Sequence, residues 1–179
     1  KESMIISYED DEAAIAENMY QILGDVSHQL GRNADAYAAY DKCLAINPDN
    51  AGCLNNYAYY LSEENRDLDK AEAMSLKTVK ENPNNPTYLD TYAWILFLQG
   101  DNFLSEFYFD KLLRIEKEQN IEPSIETLYH IGCLYLKTNR LEQAKEMWRK
   151  ALNIYNENPD NFNETEIITT IQNFFNDNK

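Results

Sequence analysis

A repeat of about 35 residues constrains the fold of this 179-residue chain more than any other feature of its sequence. Three series of positions advance together, with spacings of 34 or 35 residues twice and then 39. The first two series hold small residues and the third holds mostly aromatic ones: Gly24, Ala58, Ala93 and Gly132; Ala36, Ala71, Ser105 and Ala144; Tyr40, Ser75, Phe109 and Trp148. Self-similarity at such a period predicts an array of stacked structural repeats.

Each period predicts two amphipathic helices. Apolar residues recur at intervals of three and four, as in Leu54, Tyr57 and Leu61. The small residues let two helices approach closely, and the large residues of the third series fill the space beside them. Pro48 and Pro83 lie 35 residues apart and end the second helix of their periods. We therefore predict an all-α solenoid of antiparallel helix pairs.

This pattern resembles the tetratricopeptide repeat (TPR) family, whose period is 34 residues. The best matches to its motif lie in the first and fourth units: Tyr20, Leu23, Gly24, Ala36, Tyr40 and Pro48; Gly132, Tyr135, Ala144, Trp148, Ala151 and Leu152. The second unit departs from the motif at Ser75, where the family has an aromatic residue. The segment from Asn55 to Gly100 is similar to bacterial multi-repeat TPR proteins. The resemblance implies a right-handed superhelical solenoid.

We predict four TPR-like units within residues 14–158, at about 14–50, 51–85, 86–123 and 124–158. Residues 1–13 are interpreted as an N-terminal tail or as the end of a preceding repeat helix. Residues 159–179 are interpreted as a C-terminal capping helix, because the last repeat of a solenoid otherwise exposes its apolar face. Asn163 and Glu166 have the spacing of a capping box for that helix. A dimer contact or a docking helix is the alternative for this segment.

Composition argues against several classes of function. The chain has 16 Lys and Arg against 31 Asp and Glu, which gives a net charge of −15. This charge argues against nucleic-acid binding, because phosphate contacts need clustered cations. No apolar run approaches the roughly 20 residues that span a bilayer, so membrane insertion is not expected. The sequence does not choose between a cytoplasmic and an exported protein.

Motifs for enzyme chemistry are missing from the sequence. No glycine-rich phosphate loop, nucleophile elbow or His-Glu-x-x-His motif occurs. Cys43, Cys53 and Cys133 are scattered, and His28 and His130 fall in different units. The sequence therefore predicts neither a metal site nor a cofactor, and we predict that the protein is not an enzyme.

The resemblance implies that the first helix of each unit lines a concave groove and that fixed positions on it contact a ligand. Carried over to this sequence, these positions give the predicted peptide-binding residues Asn55, Asn56, Tyr59, Asp90, Thr91, Trp94, Tyr129 and His130. The same positions also include Asn18, Gln21, Asp25, His28, Glu63, Phe97, Glu126 and Lys137. Asparagine amides can pair with the backbone of an extended peptide, and aromatic side chains offer a large contact area. The alternative is that Tyr59 and Trp94 pack between neighbouring first helices.

The predicted function is a non-catalytic scaffold that binds a peptide or protein segment in this groove. TPR clamps for acidic chaperone C-termini use Lys, Asn and Arg at fixed positions. The matching residues here are Gln21, Asp25, Asn56, Thr87 and Thr91. Because those cations are missing and the chain is acidic, a basic or neutral partner is expected rather than an acidic one. Two alternatives stay open: a structural segment of a longer TPR solenoid, or a homo-oligomerisation module, with ligand binding elsewhere.

Overall fold

The computed structural model describes residues 2–157 and 165–177, and all regular structure in these ranges is α-helical. Nine helices follow one another along the described chain: α1 (Glu2–Gln29), α2 (Asn33–Ile46), α3 (Ala51–Glu63), α4 (Leu68–Glu81), α5 (Pro86–Gln99), α6 (Asn102–Gln119), α7 (Ile125–Lys137), α8 (Leu141–Glu157) and α9 (Thr165–Asp177). The prediction of an all-α helical-repeat solenoid is confirmed.

The helices fall into two compact units. The first unit, Lys1–Pro83, holds α1 to α4, and the second unit, Asn84–Lys179, holds α5 to α9. In the first unit α1 packs on α2, and α3 packs on α4. In the second unit α5 packs on α6, α7 packs on α8, and α9 contacts both α7 and α8. Turns of two to four residues join the partners of each pair, so the partners run antiparallel.

Side-chain caps fix where several first helices begin. At the start of α3, Asn50 Oδ1 accepts a hydrogen bond from the backbone N–H of Cys53 at 2.7 Å. Asn85 caps α5 in the same way. At the start of α7, Ser124 Oγ accepts from the backbone N–H of Thr127 at 3.0 Å. Each cap satisfies an N–H group that has no partner inside its helix, and so the local sequence sets these boundaries.

The small and aromatic series of the repeat meet across the helix pairs. Gly24 of α1 lies against Tyr40 of α2, where an added Cβ would be 2.4 Å from Tyr40 Cε1. Gly132 of α7 lies against Trp148 of α8, where an added Cβ would be 2.0 Å from Trp148 Nε1. Any side chain at either glycine would collide with a buried aromatic ring. The absence of a side chain therefore lets the two helices of each pair approach closely.

Helix α1 is much longer than the other first helices, with 28 residues where α3 and α7 have 13. Residues 2–13, which we interpreted from sequence as a tail or the end of a preceding helix, are the first turns of the same helix that holds residues 14–29. No Gly or Pro occurs before Gly24, so nothing in the local sequence interrupts the helix.

The 39-residue step in the repeat comes with a longer second helix. Helix α6 has 18 residues, whereas α2 and α4 have 14 each. It ends at Gln119, and the next residue, Asn120, has a left-handed φ of 54°. Asparagine tolerates this conformation better than most residues, and it commonly terminates helices in this way.

Helix α9 covers an apolar face of α7 and α8. Ile168 and Ile171 are buried in one cluster with residues of both helices, including Trp148. Phe174 meets Trp148 edge to face, with ring centroids 4.7 Å apart. Asn163, which belongs to the predicted capping box, lies outside the described residues. We retain the interpretation of this segment as a capping helix.

The cysteines are free thiols in different environments. Cys43 and Cys53 are buried in the first unit, and Cys53 Sγ donates to the carbonyl oxygen of Tyr40 at 3.7 Å. Burial raises the pKa of both thiols. Cys133, in the second unit, is half-buried, and burial raises the pKa of its thiol to about 11.

Candidate peptide-binding helices

In the first unit, the carboxylate of Asp25 joins three helices. Asp25 lies on α1 and accepts a hydrogen bond from the hydroxyl of Tyr40 on α2 at 2.5 Å. The same carboxylate oxygen accepts from the side-chain amide of Asn56 on α3 at 2.9 Å. Burial, followed by this hydrogen bond, raises the pKa of Tyr40 far above its usual range, so the hydroxyl remains a donor. Asp25 thereby fixes the position of Asn56.

A stack of aromatic rings lies next to this carboxylate. His28 of α1 stacks on Tyr60 of α3, with ring centroids 3.4 Å apart. Tyr59 contacts Tyr60 edge to face at 5.8 Å. His28 Nε2 is 3.7 Å from the carboxylate of Glu63. Burial lowers the pKa of His28, although neighbouring carboxylates oppose the shift.

In the second unit, a buried hydrogen bond joins the two first helices. His130 Nδ1 of α7 donates to Asp90 Oδ2 of α5 at 2.9 Å, and both side chains are almost completely buried. The indole of Trp94 stacks on the imidazole of His130, with centroids 4.1 Å apart and planes 15° from parallel. Trp94 also stacks on Phe97 at 5.0 Å. The Asp90–His130 bond therefore supports an aromatic surface that lies beside it.

Tyr129 extends this aromatic surface along α7. Its ring lies 6.4 Å from that of Trp94 and 6.5 Å from that of Trp148, measured between centroids. The carbonyl oxygen of Tyr129 accepts from Trp148 Nε1 at 3.2 Å. Burial raises the pKa of the Tyr129 hydroxyl above its usual range. The phenol therefore remains neutral over the physiological pH range.

A second buried carboxyl group lies near the Asp90–His130 bond. Glu116 of α6 is buried, and burial together with the negative charge of Asp90 raises its pKa to about 7. Asp90 Oδ1 and Glu116 Oε2 are both buried, and neither accepts a hydrogen bond from the described residues. A proton on Glu116 relieves the repulsion between the two carboxyl groups.

The structure divides the eight predicted residues by accessibility. Four of them are buried: Asn55, Asp90, Thr91 and His130. The other four are half-buried: Asn56, Tyr59, Trp94 and Tyr129. The half-buried side chains keep part of their surface accessible, whereas the buried side chains contact mainly their neighbours in the fold. The assignment of all eight residues to ligand binding stays a prediction.

Two residues of these clusters were missed from sequence. Tyr60 is four residues after Asn56 and therefore lies on the same face of α3, a spacing that could have identified it. Glu116 is four residues after Leu112, on the buried face of α6. A charged residue at an apolar position of the helical pattern is the signal that could have singled it out.

Clustered metal ligands and membrane-spanning helices are absent from the described residues. Among them, no three His, Cys, Asp or Glu side chains lie close enough together to hold a metal ion. Within residues 2–157 and 165–177, no helix combines the length and the apolar character needed to cross a membrane.

Successive antiparallel helix pairs, two of them with a glycine of one helix against an aromatic ring of the next, define a helical-repeat protein. Family models described as tetratricopeptide repeat match residues 17–50 and 125–158 in one form and 39–73 in another, together about half of the chain. The chain belongs to the tetratricopeptide repeat family. Proteins of this family are generally non-catalytic scaffolds for protein–protein interaction.

Two curated proteins are similar to part of the chain. The chain is 36% identical over 77 residues to the uncharacterized protein ycf37 of Pyropia yezoensis, which covers 43% of each protein. It is 33% identical over 89 residues to the TPR repeat-containing protein PA4667 of Pseudomonas aeruginosa, which covers 50% of this chain and 14% of PA4667. The matches therefore span less than half the length of either relative.

Among solved structures, pilF of Pseudomonas aeruginosa has a similar fold. The two structures superpose with a TM-score of 0.65 over 83% of this chain and 65% of the pilF chain, at 22% sequence identity. At this level of identity the similarity establishes the fold alone.

Proposed function

We propose that the protein is a non-catalytic scaffold that binds a peptide or protein segment through the half-buried side chains of its first helices. The observation that carries the proposal is the stack of Trp94 on His130, which the buried hydrogen bond to Asp90 holds in place. A partly accessible aromatic ring on a fixed support provides a large contact area with little loss of side-chain freedom on binding.

The chemistry around these rings favours a basic or neutral ligand. In the first unit, the carboxylates of Asp25 and Glu63 lie beside Asn56 and the tyrosine rings of α3. Their negative charge, with the net charge of −15, repels acidic peptides. An Arg or Lys side chain of the ligand can lie over an accessible indole or phenol face, which attracts cations. Asn56 offers an amide that can pair with the ligand backbone.

A display library of random linear peptides, selected on the purified 179-residue chain, tests this proposal. We expect the enriched peptides to be basic or neutral and to contain aromatic or long apolar residues. Trp94→Ala should weaken binding of an enriched peptide by about 10- to 30-fold, as expected for loss of a hot-spot ring. Trp94→Phe, which keeps an aromatic face, should restore part of the affinity.

Phe103→Ala is the matched control, because Phe103 is an aromatic residue of the same unit that is 85% exposed and lies on a second helix, α6. It should leave the affinity unchanged. Tyr59→Ala applies the same test to the first unit. Circular dichroism of each variant confirms that helicity is retained. Selection of acidic peptides, or binding that survives both Trp94→Ala and Tyr59→Ala, contradicts the proposal.

A further inference from the structure

Helix α1 carries a row of exposed large apolar side chains on one side. The row, here called the α1 row, consists of Ile15, Met19, Ile22, Leu23 and Val26 of α1 and of Leu30, which directly follows the end of the helix at Gln29; each is between 45% and 64% exposed. Four of them line an apolar groove of about 540 Å³ together with Ala16 and Tyr20. Single exposed apolar residues are ordinary, but a contiguous row of this length marks an interaction surface.

The second repeat shows what normally covers this side of a first helix. The repeat period places Cys53, Tyr57 and Tyr60 of α3 at the positions of Met19, Leu23 and Val26. Tyr57 stacks on Tyr37 and Tyr40 of α2, with centroids 5.2 and 5.4 Å apart. Cys53 is also held against α2, through its bond to the carbonyl oxygen of Tyr40. The equivalent side of α1 is therefore shaped to receive another helix.

The α1 row is symmetric about its own midpoint. Counting outward from the point between Ile22 and Leu23, Met19 mirrors Val26, and Ile15 mirrors Leu30. Two copies of α1 that cross antiparallel at this point place Ile22 opposite Leu23 and Met19 opposite Val26, and they bring Ile15 near Leu30 at the end of the helix. This is the self-complementary contact of a two-fold dimer. The steps of four, three and four residues from Ile15 to Val26 give the seam that two packed helices share.

The charges at the two ends of the row favour the same arrangement. Asp11 and Glu12 are exposed before the row, and Arg32 is exposed just after it. Antiparallel pairing brings Asp11 and Glu12 of one copy next to Arg32 of the other. Parallel pairing would place the same carboxylates against each other. Charge complementarity thus selects the antiparallel orientation.

We propose that the protein forms a two-fold dimer in which the α1 rows of two copies pack antiparallel. The occupant of the apolar groove on α1 is thus a second copy of this chain. The proposal is independent of ligand binding by the other first helices, because Trp94 and Tyr129 lie outside α1.

Sedimentation velocity of the 179-residue chain from about 1 to about 200 µM tests the proposal, since mass action populates a weak dimer in this range. The buffer should contain about 0.15 M salt, which screens the repulsion between two acidic chains beyond about 8 Å. We expect a concentration-dependent shift from monomer to dimer. Ile22→Glu places two carboxylates at the centre of the interface and should raise the dissociation constant at least about tenfold.

Phe103→Glu is the control, since it adds the same charge at a more exposed apolar site outside the α1 row. It should leave the dissociation constant unchanged. Ile22→Ser removes the apolar contact without adding charge and should weaken the dimer less than Ile22→Glu. Because Ile22 is exposed, circular dichroism of both variants should match that of the parent chain.

A charge exchange tests the orientation. Arg32→Glu alone, and Asp11→Lys with Glu12→Lys alone, should each weaken self-association, because each homodimer then juxtaposes like charges. Mixing the two variants should restore dimers, since both ends of the mixed dimer pair opposite charges. Failure of the mixture to restore dimers overturns the antiparallel arrangement. A dimer that survives Ile22→Glu overturns the α1 row as the interface. A chain that stays monomeric over the whole concentration range shows that a second copy does not occupy the groove on α1. The occupant would then be a helix of a different protein.

Discussion

The two units differ in whether the apolar side of an outer helix pair is covered by another helix. In the second unit, α9 lies over α7 and α8, so that Ile168 and Ile171 are 3% and 1% exposed. In the first unit, Met19 and Leu23 of α1 are 64% and 51% exposed, whereas the equivalent residues of α3, Cys53 and Tyr57, are 0% and 4% exposed. A TPR helix pair has an apolar side that a neighbour must cover. The described chain therefore supplies this cover for α7 and α8 but not for α1.

The largest expected effect comes from weakening the covered side. Ile168→Ala with Ile171→Ala should lower the free energy of unfolding of the second unit by about 4 kcal/mol, because two buried side chains leave cavities in one cluster. Ile22→Ala with Val26→Ala in α1 should change the free energy of unfolding of the first unit by less than about 1 kcal/mol, because both side chains are exposed.

Urea unfolding followed by tryptophan fluorescence measures the second unit, because Trp94 and Trp148, the two tryptophans of the chain, both lie there. Far-ultraviolet circular dichroism measures both units together. Protein at about 1 µM keeps self-association from contributing. If the double substitution in α9 and the double substitution in α1 lowered the free energy of unfolding equally, the distinction between a covered and an uncovered helix would be wrong.

The next effect concerns a feature that the units share. Gly132→Ala and Gly24→Ala should each lower stability by about 2 kcal/mol, because the new methyl group collides with Trp148 or Tyr40. The better helix propensity of alanine recovers only part of that loss. Urea unfolding checks both variants.

Gly52→Ala is the control for these substitutions. Its added Cβ would be 2.8 Å from Gln21 Nε2, the end of a flexible side chain that can move aside. This variant should therefore be as stable as the parent chain or more stable by up to about 1 kcal/mol. A neutral result for Gly132→Ala would show that the close approach of α7 and α8 is not required.

A smaller effect should separate the units by pH. Glu116 has a folded pKa of about 7 against an ordinary value of 4.5, so the folded second unit holds its proton more tightly than the unfolded chain. Its favourable contribution is complete below pH 4.5 and is lost as the pH rises to about 7. Glu116→Gln should therefore raise stability at pH 8 by about 1 to 2 kcal/mol and have little effect at pH 4.5. Tryptophan fluorescence in urea at the two pH values measures this difference.

His28 gives the opposite sign in the first unit. Burial lowers its folded pKa below 6.5, so its contribution to stability is present above pH 6.5 and is lost as the pH falls. His28→Gln should reduce the loss of stability of the first unit between pH 7 and pH 5, as measured by circular dichroism in urea.

For the second unit, a pH-independent effect of Glu116→Gln would show that the carboxyl group of Glu116 titrates normally.

The smallest effect should be the same in both units. Asn50→Ala at the start of α3 and Ser124→Ala at the start of α7 each remove one side-chain acceptor for a backbone N–H group. Each should lower stability by about 1 kcal/mol. Thermal unfolding compares the two variants directly. Asn50 Nδ2 also donates to Glu17 Oε1 of α1, so a larger loss for Asn50→Ala than for Ser124→Ala would be attributed to that second hydrogen bond. A loss near zero in either variant would show that its cap does not fix the start of the helix.

The helix pairs could be predicted because their signal repeats. The small and aromatic positions recur with the period of the fold, and contacts such as Gly24–Tyr40 follow from that spacing. The extent of α1 was less accessible, since an uninterrupted run without Gly or Pro shows that a helix can form but not where the repeat begins. Residues 2–13 were therefore separated from a helix to which they belong.

The candidate site could be predicted only in part. The family register selects one side of each first helix but does not indicate how deeply each side chain is buried. Asp90 and His130 are 40 residues apart, and their hydrogen bond depends on how α5 and α7 pack together. The burial of both residues is a consequence of that packing. Asn56 and Trp94 remain accessible for the same reason, because neighbouring helices cover them only partly.

The rate at which a reagent modifies the thiols of the first unit can report how often this unit opens. Cys43 and Cys53 have no exposed surface, and burial raises the pKa of both. A thiol reagent can therefore modify them only during excursions in which α2 and α3 separate, and the rate of modification counts those excursions. Any partner that holds these helices together would lower the rate of thiol modification without contacting either sulfur atom.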